Sequence, residues 1–384
     1  MTDSGQPRAV VVGGGILGTW HAVELCRAGF AVQHLEADAG PTGASVRNFG
    51  LVWVSGRRSG AELEVAQRAR RRWEEMAAVA PAIGFRPCGS MTLAATDEER
   101  QVMEAFGRHG DARDRSTSFV EPDEVRARNP AVRGDITGGL WCAADGVVEP
   151  RLALGALRQY LLGGSGSGAG GSYEFHPRRR VVALEDRAVV DVSGRRWEAD
   201  LVVVATGAAF DQLPGLEDVA AGLRRVHLQM LETEPLGEVL TTSLADADSL
   251  RYYPAYDVVP LDALGEQSAL AAAHHLQLLL VQRADGGLTI GDTHAYDEPF
   301  DFALSEEPSL ELLERAARLL GRPLPPVRRR WEGVYAQCTD GSVCARTEVR
   351  PGVWLVTGPG GRGMTCSPAI AADTLVAAGA AVGG

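Results

Sequence analysis

The fold is decided by the run AVVVGGGILG, which occupies residues 9–18 of this 384-residue chain. Its first four residues are small or β-branched and predict a buried parallel strand that leads directly into Gly13. The next stretch, Ile16 to Ala28, favours a helix, and Phe30 to Leu35 favours a second strand that ends at Glu36. Strand, glycine turn, helix and strand in this order predict a Rossmann-like fold that binds a dinucleotide.

Each part of this first turn has a separate physical role. Gly13 permits the tight turn, Gly15 lets backbone N–H groups approach a pyrophosphate, and Gly18 lets the helix pack closely on the strand. The helix N-terminus adds partial positive charge beside the phosphates. Glu36 has the spacing of an acid that binds a ribose hydroxyl. We therefore assign these four residues to the dinucleotide.

Composition excludes several classes of function. The formal net charge is −12, which argues against nucleic acid as the main partner because phosphate neutralisation needs a basic surface. The six cysteines form no CxxC pair and the eight histidines no HExxH motif, so we expect no metal site and no disulfide framework. We find no apolar signal or membrane segment, and we expect a cytoplasmic protein without membrane contacts. The oligomeric state stays open.

The chain contains no lysine, so all 38 basic residues are arginine. Arginine stays charged and cannot serve as a Schiff-base amine. This composition excludes pyridoxal and lysine-aldolase chemistry.

The domain organisation is predicted to be discontinuous. Strand-like runs at 179–184, 197–205 and 353–357 resemble further buried parallel strands, whereas runs at 90–94, 223–232, 276–282 and 287–292 favour an antiparallel sheet. Helices are expected at 61–80 and 306–320, and the tract GGSGSGAGGS at 163–172 predicts a flexible surface loop. We predict an α/β protein: a dinucleotide domain over 1–88, 148–222 and 331–384, and a mainly antiparallel β substrate domain over 89–147 and 223–330.

A second glycine-rich turn, GPGGRGMT, lies at residues 358–365 near the end of the chain. With the first turn, Glu36, ASVRNFG at residues 44–50 and ATG at residues 205–207, it resembles the D-amino-acid oxidase family, which includes glycine and sarcosine oxidases. The resemblance implies an FAD enzyme whose flavin ring meets the second turn. Backbone N–H groups and a helix start there would stabilise negative charge on the reduced flavin.

The resemblance implies a set of FAD contacts spread over the whole chain. The predicted cofactor-binding residues are Gly13, Gly15, Gly18, Glu36, Ser45, Arg47, Asn48, Val181, Thr206, Gly207, Gly360, Gly361, Gly363, Met364 and Thr365.

The segment WEGVY at residues 331–335 departs from this family. Amino-acid oxidases carry a carboxylate-binding arginine in this segment, and here Tyr335 stands in its place. Gly333 stands where sarcosine oxidases attach FAD to a cysteine, which implies noncovalent FAD, with Cys338 a less favoured attachment point. The sarcosine oxidases also place a lysine beside the flavin for reaction with oxygen. Because this chain has none, oxidase and dehydrogenase activity both stay open.

A narrower resemblance concerns a bacterial branch associated with phosphonate catabolism. It implies oxidation of an aminoalkylphosphonate, such as 2-aminoethylphosphonate or its N-methyl derivative, to an imine. Hydrolysis then gives phosphonoacetaldehyde and ammonia or methylamine, and oxygen or another acceptor takes the electrons. The motifs that carry it are SVRNFG at 45–50, RYYP at 251–254, GDTHAY at 291–296, WEGVY at 331–335 and GRGMT at 361–365.

An anionic amine substrate needs arginines or backbone donors. Arg47, Arg251 and Arg362 lie in the motifs and are the candidates, with Arg57 a weaker one, and each is equally compatible with ordinary salt bridging. The predicted catalytic residues are Tyr335, His294 and Arg47, and the predicted substrate-binding residues are Arg251, Tyr253, Arg362 and Tyr335. The alternatives are a glycine- or sarcosine-type oxidase, and an FAD-binding subunit without amine turnover of its own.

Overall fold

The computed structural model describes residues 6–164 and 171–380. Most of the glycine/serine tract, residues 165–170, lies outside the described residues, so its predicted flexibility stays a prediction. The strands are β1 Arg8–Val12, β2 Ala31–Leu35, β3 Leu51–Val52, β4 Ser90–Ala94, β5 Thr117–Val120, β6 Gly138–Cys142, β7 Gly146–Val147, β8 Ser172–His176, β9 Val181–Glu185, β10 Ala188–Asp191, β11 Arg196–Glu198, β12 Leu201–Val204, β13 Leu223–Pro235, β14 Ser243–Asp246, β15 Leu279–Gln282, β16 Gly287–Gly291, β17 Val327–Cys338, β18 Ala345–Arg350 and β19 Val353–Thr357.

Helices pack on one face of the sheet that contains β1, and strands β9, β10 and β11 cover its other face. Helices pack on both faces of the sheet that contains β13. The helices are α1 Ile16–Arg27, α2 Ala61–Val79, α3 Asp97–Arg108, α4 Gly110–Asp114, α5 Pro122–Arg128, α6 Pro150–Leu162, α7 Glu217–Ala220, α8 Ser249–Tyr252, α9 Ala269–Ala273, α10 Glu306–Leu320 and α11 Gly363–Ala377.

The first sheet has the order β18-β19-β12-β1-β2-β8, with β1 parallel to both of its neighbours. Gly13 has a φ of +108°, and a Cβ there would lie 2.3 Å from the carbonyl oxygen of Ala205. A Cβ at Gly18 would lie 2.0 Å from the carbonyl oxygen of Gly13. Glycine at both positions therefore lets α1 start directly against β1, and the predicted Rossmann-like sheet is confirmed.

The second large sheet has the order β17-β13-β16-β15-β14-β4-β6-β5. Its pairs are antiparallel except for β4 with β14, so the prediction of a mainly antiparallel second domain is confirmed. Helix α10 buries Leu312, Ala316 and Leu320 in the core of this domain. On the other face of this sheet, Met230 and Leu279 share a core cluster with Leu51 and Trp53 of the Rossmann domain.

Two strand predictions are wrong in detail. The run 179–184 forms β9, which belongs to a separate antiparallel sheet of order β11-β10-β9 and leaves Val182 and Glu185 exposed. The run 197–205 divides in two, because only β12 joins the parallel sheet. The Asp200 carboxylate at the break accepts a hydrogen bond from the Arg8 backbone N–H at 2.8 Å. Strand β8 was not predicted at all.

The predicted domain bound at residue 331 falls inside β17. This strand pairs with β13 along its whole length, from Thr233 opposite Val327 to Leu223 opposite Cys338. The antiparallel sheet therefore continues to Cys338, and the chain returns to the first sheet only after that residue.

The glycine contact at the start of α1 generates the first prediction. We expect Gly18→Ala to destabilise the fold by about 1–3 kcal/mol, because the added methyl group overlaps the Gly13 carbonyl. Gly155→Ala is the matched control, since Gly155 lies within α6 with nothing within 4 Å of its Cβ position. There alanine should stabilise the helix by about 0.5–1 kcal/mol. Urea denaturation of both variants measures the difference, and equal free energies of unfolding would contradict the packing role assigned to Gly18.

Candidate active site

A cavity of about 1250 Å³ lies between the two domains. It exceeds the ~300–1000 Å³ of most small-ligand sites, and both glycine-rich turns line it. Predicted site residues that line the cavity are Gly13, Gly15, Glu36, Ser45, Arg47, Asn48, Val181, Thr206, Gly207, Arg251, Tyr253, His294, Tyr335, Gly360, Gly361, Arg362, Gly363 and Met364.

Two predicted cofactor residues are not part of the cavity lining. Gly18 is covered by the turn at Gly13. The hydroxyl of Thr365 accepts a hydrogen bond from the Trp53 backbone N–H at 2.9 Å and donates to the carbonyl of Leu51 at 3.2 Å. Both residues therefore support the walls of the site.

The end of the cavity at α1 has the donors and acceptors that a dinucleotide needs. The Glu36 carboxylate accepts hydrogen bonds from the backbone N–H groups of Gly14 at 2.6 Å and Asp38 at 2.8 Å. The Ser45 hydroxyl accepts from the Ile16 N–H at 2.9 Å, at the positive end of α1. A Cβ at Gly15 would lie 3.0 Å from that hydroxyl oxygen, so a larger residue would fill the phosphate cradle. These residues fit FAD.

The other end of the cavity meets the second glycine turn, where α11 begins. A Cβ at Gly361 would lie 3.7 Å from the hydroxyl oxygens of both Tyr252 and Tyr335. These two hydroxyl groups are 3.1 Å apart and share a hydrogen bond. The start of a fifteen-residue helix places partial positive charge at this end of the cavity, which suits a reduced flavin.

His294 packs in the wall near these tyrosines. Its ring stacks on Tyr252 with a centroid distance of 4.3 Å, and its Nδ1 donates to the carbonyl of His275 at 3.1 Å. Burial lowers the pKa of His294 to about 4 and raises the pKa of Tyr335 well above its usual value. Both side chains are neutral at pH 7, so the geometry favours positioning over proton transfer for these two predicted catalytic residues.

The three arginines predicted to be the anion ligands already have partners within the protein. Arg47 donates to the carbonyls of Thr42 and Glu332, and Arg251 pairs with Asp248 at 3.1 Å. Arg362 donates through all three guanidinium nitrogens to backbone carbonyls, those of Pro359, Gly341 and Ser342. These contacts tie loops together, and sequence motifs alone do not reveal them.

Arg57, the weaker candidate, has the more open guanidinium group. Its side chain is buried, its Nε donates to the carbonyl of Trp53 at 2.8 Å, and its plane lies over Tyr253. In the described part of the chain its terminal nitrogens make no hydrogen bond, and Glu62 stands 3.9 Å away. That carboxylate also faces Arg362 at 3.4 Å. The buried Arg57 and the partly buried Arg362 thus share one carboxylate, so these three groups together carry a net positive charge beside the cavity.

Sequence reasoning missed two buried polar residues in the cavity wall, Asp292 and Gln277. They line the cavity and are 6% and 2% exposed, and the Gln277 amide donates to the Asp292 carboxylate at 3.2 Å. Burial raises the pKa of Asp292 to about 7. Asp292 lies in the GDTHAY motif, two residues before the candidate His294. This spacing is the feature of the sequence that could have indicated Asp292 as a site residue.

Other kinds of site find no support within residues 6–164 and 171–380. No group of three or more His, Cys, Asp or Glu side chains there is arranged to hold a metal ion. Among the helices described, none has both the length and the apolar character required to cross a bilayer.

Fold and cavity together define a dinucleotide-dependent oxidoreductase. The family model described as DAO, FAD dependent oxidoreductase, matches residues 8–375, and the chain belongs to that family. The expected family and its cofactor FAD are thereby confirmed. The placement in a phosphonate branch stays a prediction.

Known proteins similar to the chain cover nearly its whole length. One of the subunits of opine oxidase from Rhizobium meliloti is 24% identical over 383 residues, 96% of this chain and 93% of the relative. The crystal structure of glycine oxidase from Geobacillus kaustophilus has a TM-score of 0.74 at 20% identity and covers 97% and 94% of the two chains. That of iminodiacetate oxidase from Chelativorans sp. BNC1 has a TM-score of 0.71 at 18% identity, with 97% and 95% covered.

The second prediction concerns the dinucleotide end of the cavity. We expect Glu36→Gln to weaken FAD binding at least about tenfold, because hydrogen bonds to a charged group contribute about 1.5–3 kcal/mol. Glu75→Gln, an exposed position on α2, makes the same change of charge away from the cavity. Titration of the apoprotein with FAD, followed by flavin fluorescence, compares the two dissociation constants. Unchanged affinity in the Glu36 variant would contradict the assignment.

Proposed function

We propose that the protein oxidises the C–N bond of a small amine that carries an anionic group, with an aminoalkylphosphonate as preferred substrate. The observation that carries this proposal is the buried, incompletely paired guanidinium of Arg57 in the cavity wall. A buried positive group without full compensation favours an anionic ligand, because burial in a low-dielectric site strengthens the interaction. Arginine also matches phosphonate and carboxylate oxygens through two parallel N–H donors.

The reaction removes two electrons and two protons from the amine. An imine results, and water converts it into an aldehyde and ammonia, or methylamine for an N-methyl substrate. FAD, when bound, supplies the two-electron acceptor. The residues of the chain bind and orient the substrate in a site that excludes water.

Two positions of β17 differ from the oxidases that the chain resembles, and both differences support this choice of substrate and this mode of FAD binding. Tyr335 replaces the arginine that binds the carboxylate in the resembling amino-acid oxidases, so the anion needs another partner, and Arg57 supplies it. Gly333 has no side chain to attach to the flavin, and we infer noncovalent FAD. Acid precipitation tests this inference, because noncovalent FAD stays in the supernatant.

A carboxylated amine is the second candidate. The names of the similar proteins favour it, since glycine and iminodiacetate are both carboxylated amines. The guanidinium of Arg57 suits either anion, so the experiment must compare them directly. Anaerobic addition of 2-aminoethylphosphonate, N-methyl-2-aminoethylphosphonate, glycine, sarcosine and iminodiacetate to the FAD-loaded enzyme gives the comparison. We expect the two phosphonates to bleach the flavin spectrum most efficiently. Bleaching by the carboxylates alone would overturn the phosphonate preference.

The acceptor of the electrons is tested in the same preparation. One similar protein is by name a subunit of an oxidase, which supports a role of this chain beside a second protein. Turnover is therefore measured with oxygen and with an artificial acceptor. If no amine reduces the flavin, the FAD-binding subunit without amine turnover of its own replaces the proposed function.

Arg57 provides the third prediction. We expect Arg57→Leu to lower kcat/KM for the anionic amine by about 10²-fold, because each hydrogen bond to a charged group contributes about 1.5–3 kcal/mol. Ethylamine, which lacks the anion, should be oxidised with unchanged kcat/KM. Arg71→Leu on the exposed face of α2 is the control for loss of one arginine. An equal loss for both amines would show a structural effect and contradict anion binding by Arg57.

A further inference from the structure

Gln277 and Asp292 face each other at the end of the β15–β16 ladder. Their backbones exchange two hydrogen bonds, from Gln277 N–H to the Asp292 carbonyl at 3.1 Å and from Asp292 N–H to the Gln277 carbonyl at 2.8 Å. This pairing holds both side chains in the cavity wall, where they are almost completely buried. The position is rigid because it continues an antiparallel pair of strands.

The two side chains present hydrogen-bond acceptors that the protein itself does not satisfy. The Gln277 amide donates to Oδ1 of Asp292 at 3.2 Å, and its buried Oε1 has no partner in the described part of the chain. The second carboxylate oxygen of Asp292, Oδ2, lies 3.9 Å from Nε2 of His294. Buried polar atoms in folded proteins nearly always have a partner, so these two acceptors need donors that the described part of the chain does not supply.

We propose that Asp292 and Gln277 bind the protonated amino group of the substrate, and that the Asp292 carboxylate accepts its proton before oxidation. The proposal rests on the proposed function and deepens it. A protonated primary amine carries three N–H donors and its N-methyl derivative two; two of them would bind a carboxylate oxygen of Asp292 and the unpaired amide oxygen of Gln277. The guanidinium of Arg57 and the carboxylate of Asp292 would then bind the two ends of a zwitterionic substrate.

The proton transfer is a complete step in itself. One N–H bond of the ammonium group breaks, its electron pair stays on nitrogen, and an O–H bond forms on Asp292. The product is a neutral amine beside a neutral carboxylic acid. The step is required because an imine forms only when nitrogen has a lone pair to share with carbon.

The groups around Asp292 do not compete for this role. Burial raises the pKa of each neighbouring tyrosine and lowers that of the histidine, so all of them are neutral at pH 7. Burial also raises the pKa of Asp292 itself to about 7, close to the working pH of a general base. The titratable neighbours are Tyr252, Tyr253, Tyr296, Tyr335 and His294.

The fourth prediction is the pH dependence of flavin reduction in Asp292→Asn. The measurement is anaerobic stopped-flow at saturating amine, with the amine of the panel above that bleaches the wild-type flavin fastest. In the wild type the rate should rise as pH increases through about 7, because the carboxylate forms above its pKa. In Asp292→Asn the rate at pH 7 should fall by about 10²–10⁴-fold. It should then recover about tenfold per pH unit until the amine loses its proton in solution.

Recovery at high pH separates proton transfer from a structural defect, which pH would not repair. Asp257→Asn is the matched control, because Asp257 is an exposed acid at the edge of the same cavity; its rate and pH profile should stay those of the wild type. Bound FAD and the thermal midpoint are compared for all variants. A wild-type rate and pH profile in Asp292→Asn, or a loss that high pH does not restore, overturns the proposal.

If Asp292→Asn does not fold, a second variant tests the binding of the amino group. Gln277→Leu removes the unpaired acceptor, and it should weaken binding of the protonated amine about tenfold. Binding of ethylphosphonate or acetate, which lack the amine, should not change. Equal binding of the amine by Gln277→Leu and the wild type overturns the proposal. If no amine of the panel reduces the wild-type flavin, the proposed function fails first and this proposal fails with it.

Discussion

The carboxylate of Asp145 fixes the segment on which the cavity depends. It is completely buried and accepts hydrogen bonds from the backbone N–H groups of Val54 at 2.5 Å and Ser55 at 3.0 Å, and from the hydroxyls of Ser55 and Ser90 at 2.6 Å. Thr365 holds the same segment from α11. Without the Asp145 carboxylate, each of these buried donors would lose its partner, at a cost of about 1–3 kcal/mol in folding free energy. One side chain from the antiparallel domain thus positions the segment that carries Arg57 into the cavity.

In the proposed function, buried groups of opposite charge in one cavity would select the substrate. A buried charge is costly unless it is paired, and Arg57 shares its nearest carboxylate, Glu62, with Arg362. For Asp292, burial raises the pKa to about 7, so the cost of burying its charge is reduced by partial protonation at neutral pH. In the proposed arrangement a zwitterionic amine compensates both groups at once. A simple ammonium ion or a simple anion would compensate only one of them, so differential desolvation would discriminate against both.

The part of the fold that the sequence predicts best is the turn whose backbone requires glycine. At Gly13 and Gly18 a Cβ would meet backbone atoms, and the spacing of these glycines after an apolar strand signals that constraint in the sequence. The partners of Arg47 and Arg362 are carbonyls brought together only by tertiary structure, so motif membership could not separate structural arginines from ligands. Asp292 lies in a motif that was recognised, but the register of β16 determines which of its side chains faces the cavity.

The register of strand β17 fixes the position of residue 335 in the cavity wall. The strand pairs with β13 over its whole length, so position 335 is held opposite the second glycine turn whatever residue it carries. The hydroxyl of Tyr335 shares a hydrogen bond with that of Tyr252, and in the proposed function the anion is bound by another wall of the cavity. Arg57 reaches the cavity from the segment before α2, which the strand register does not control. In the proposed function, transfer of anion binding from β17 to that segment would change the substrate while leaving the backbone around the flavin intact.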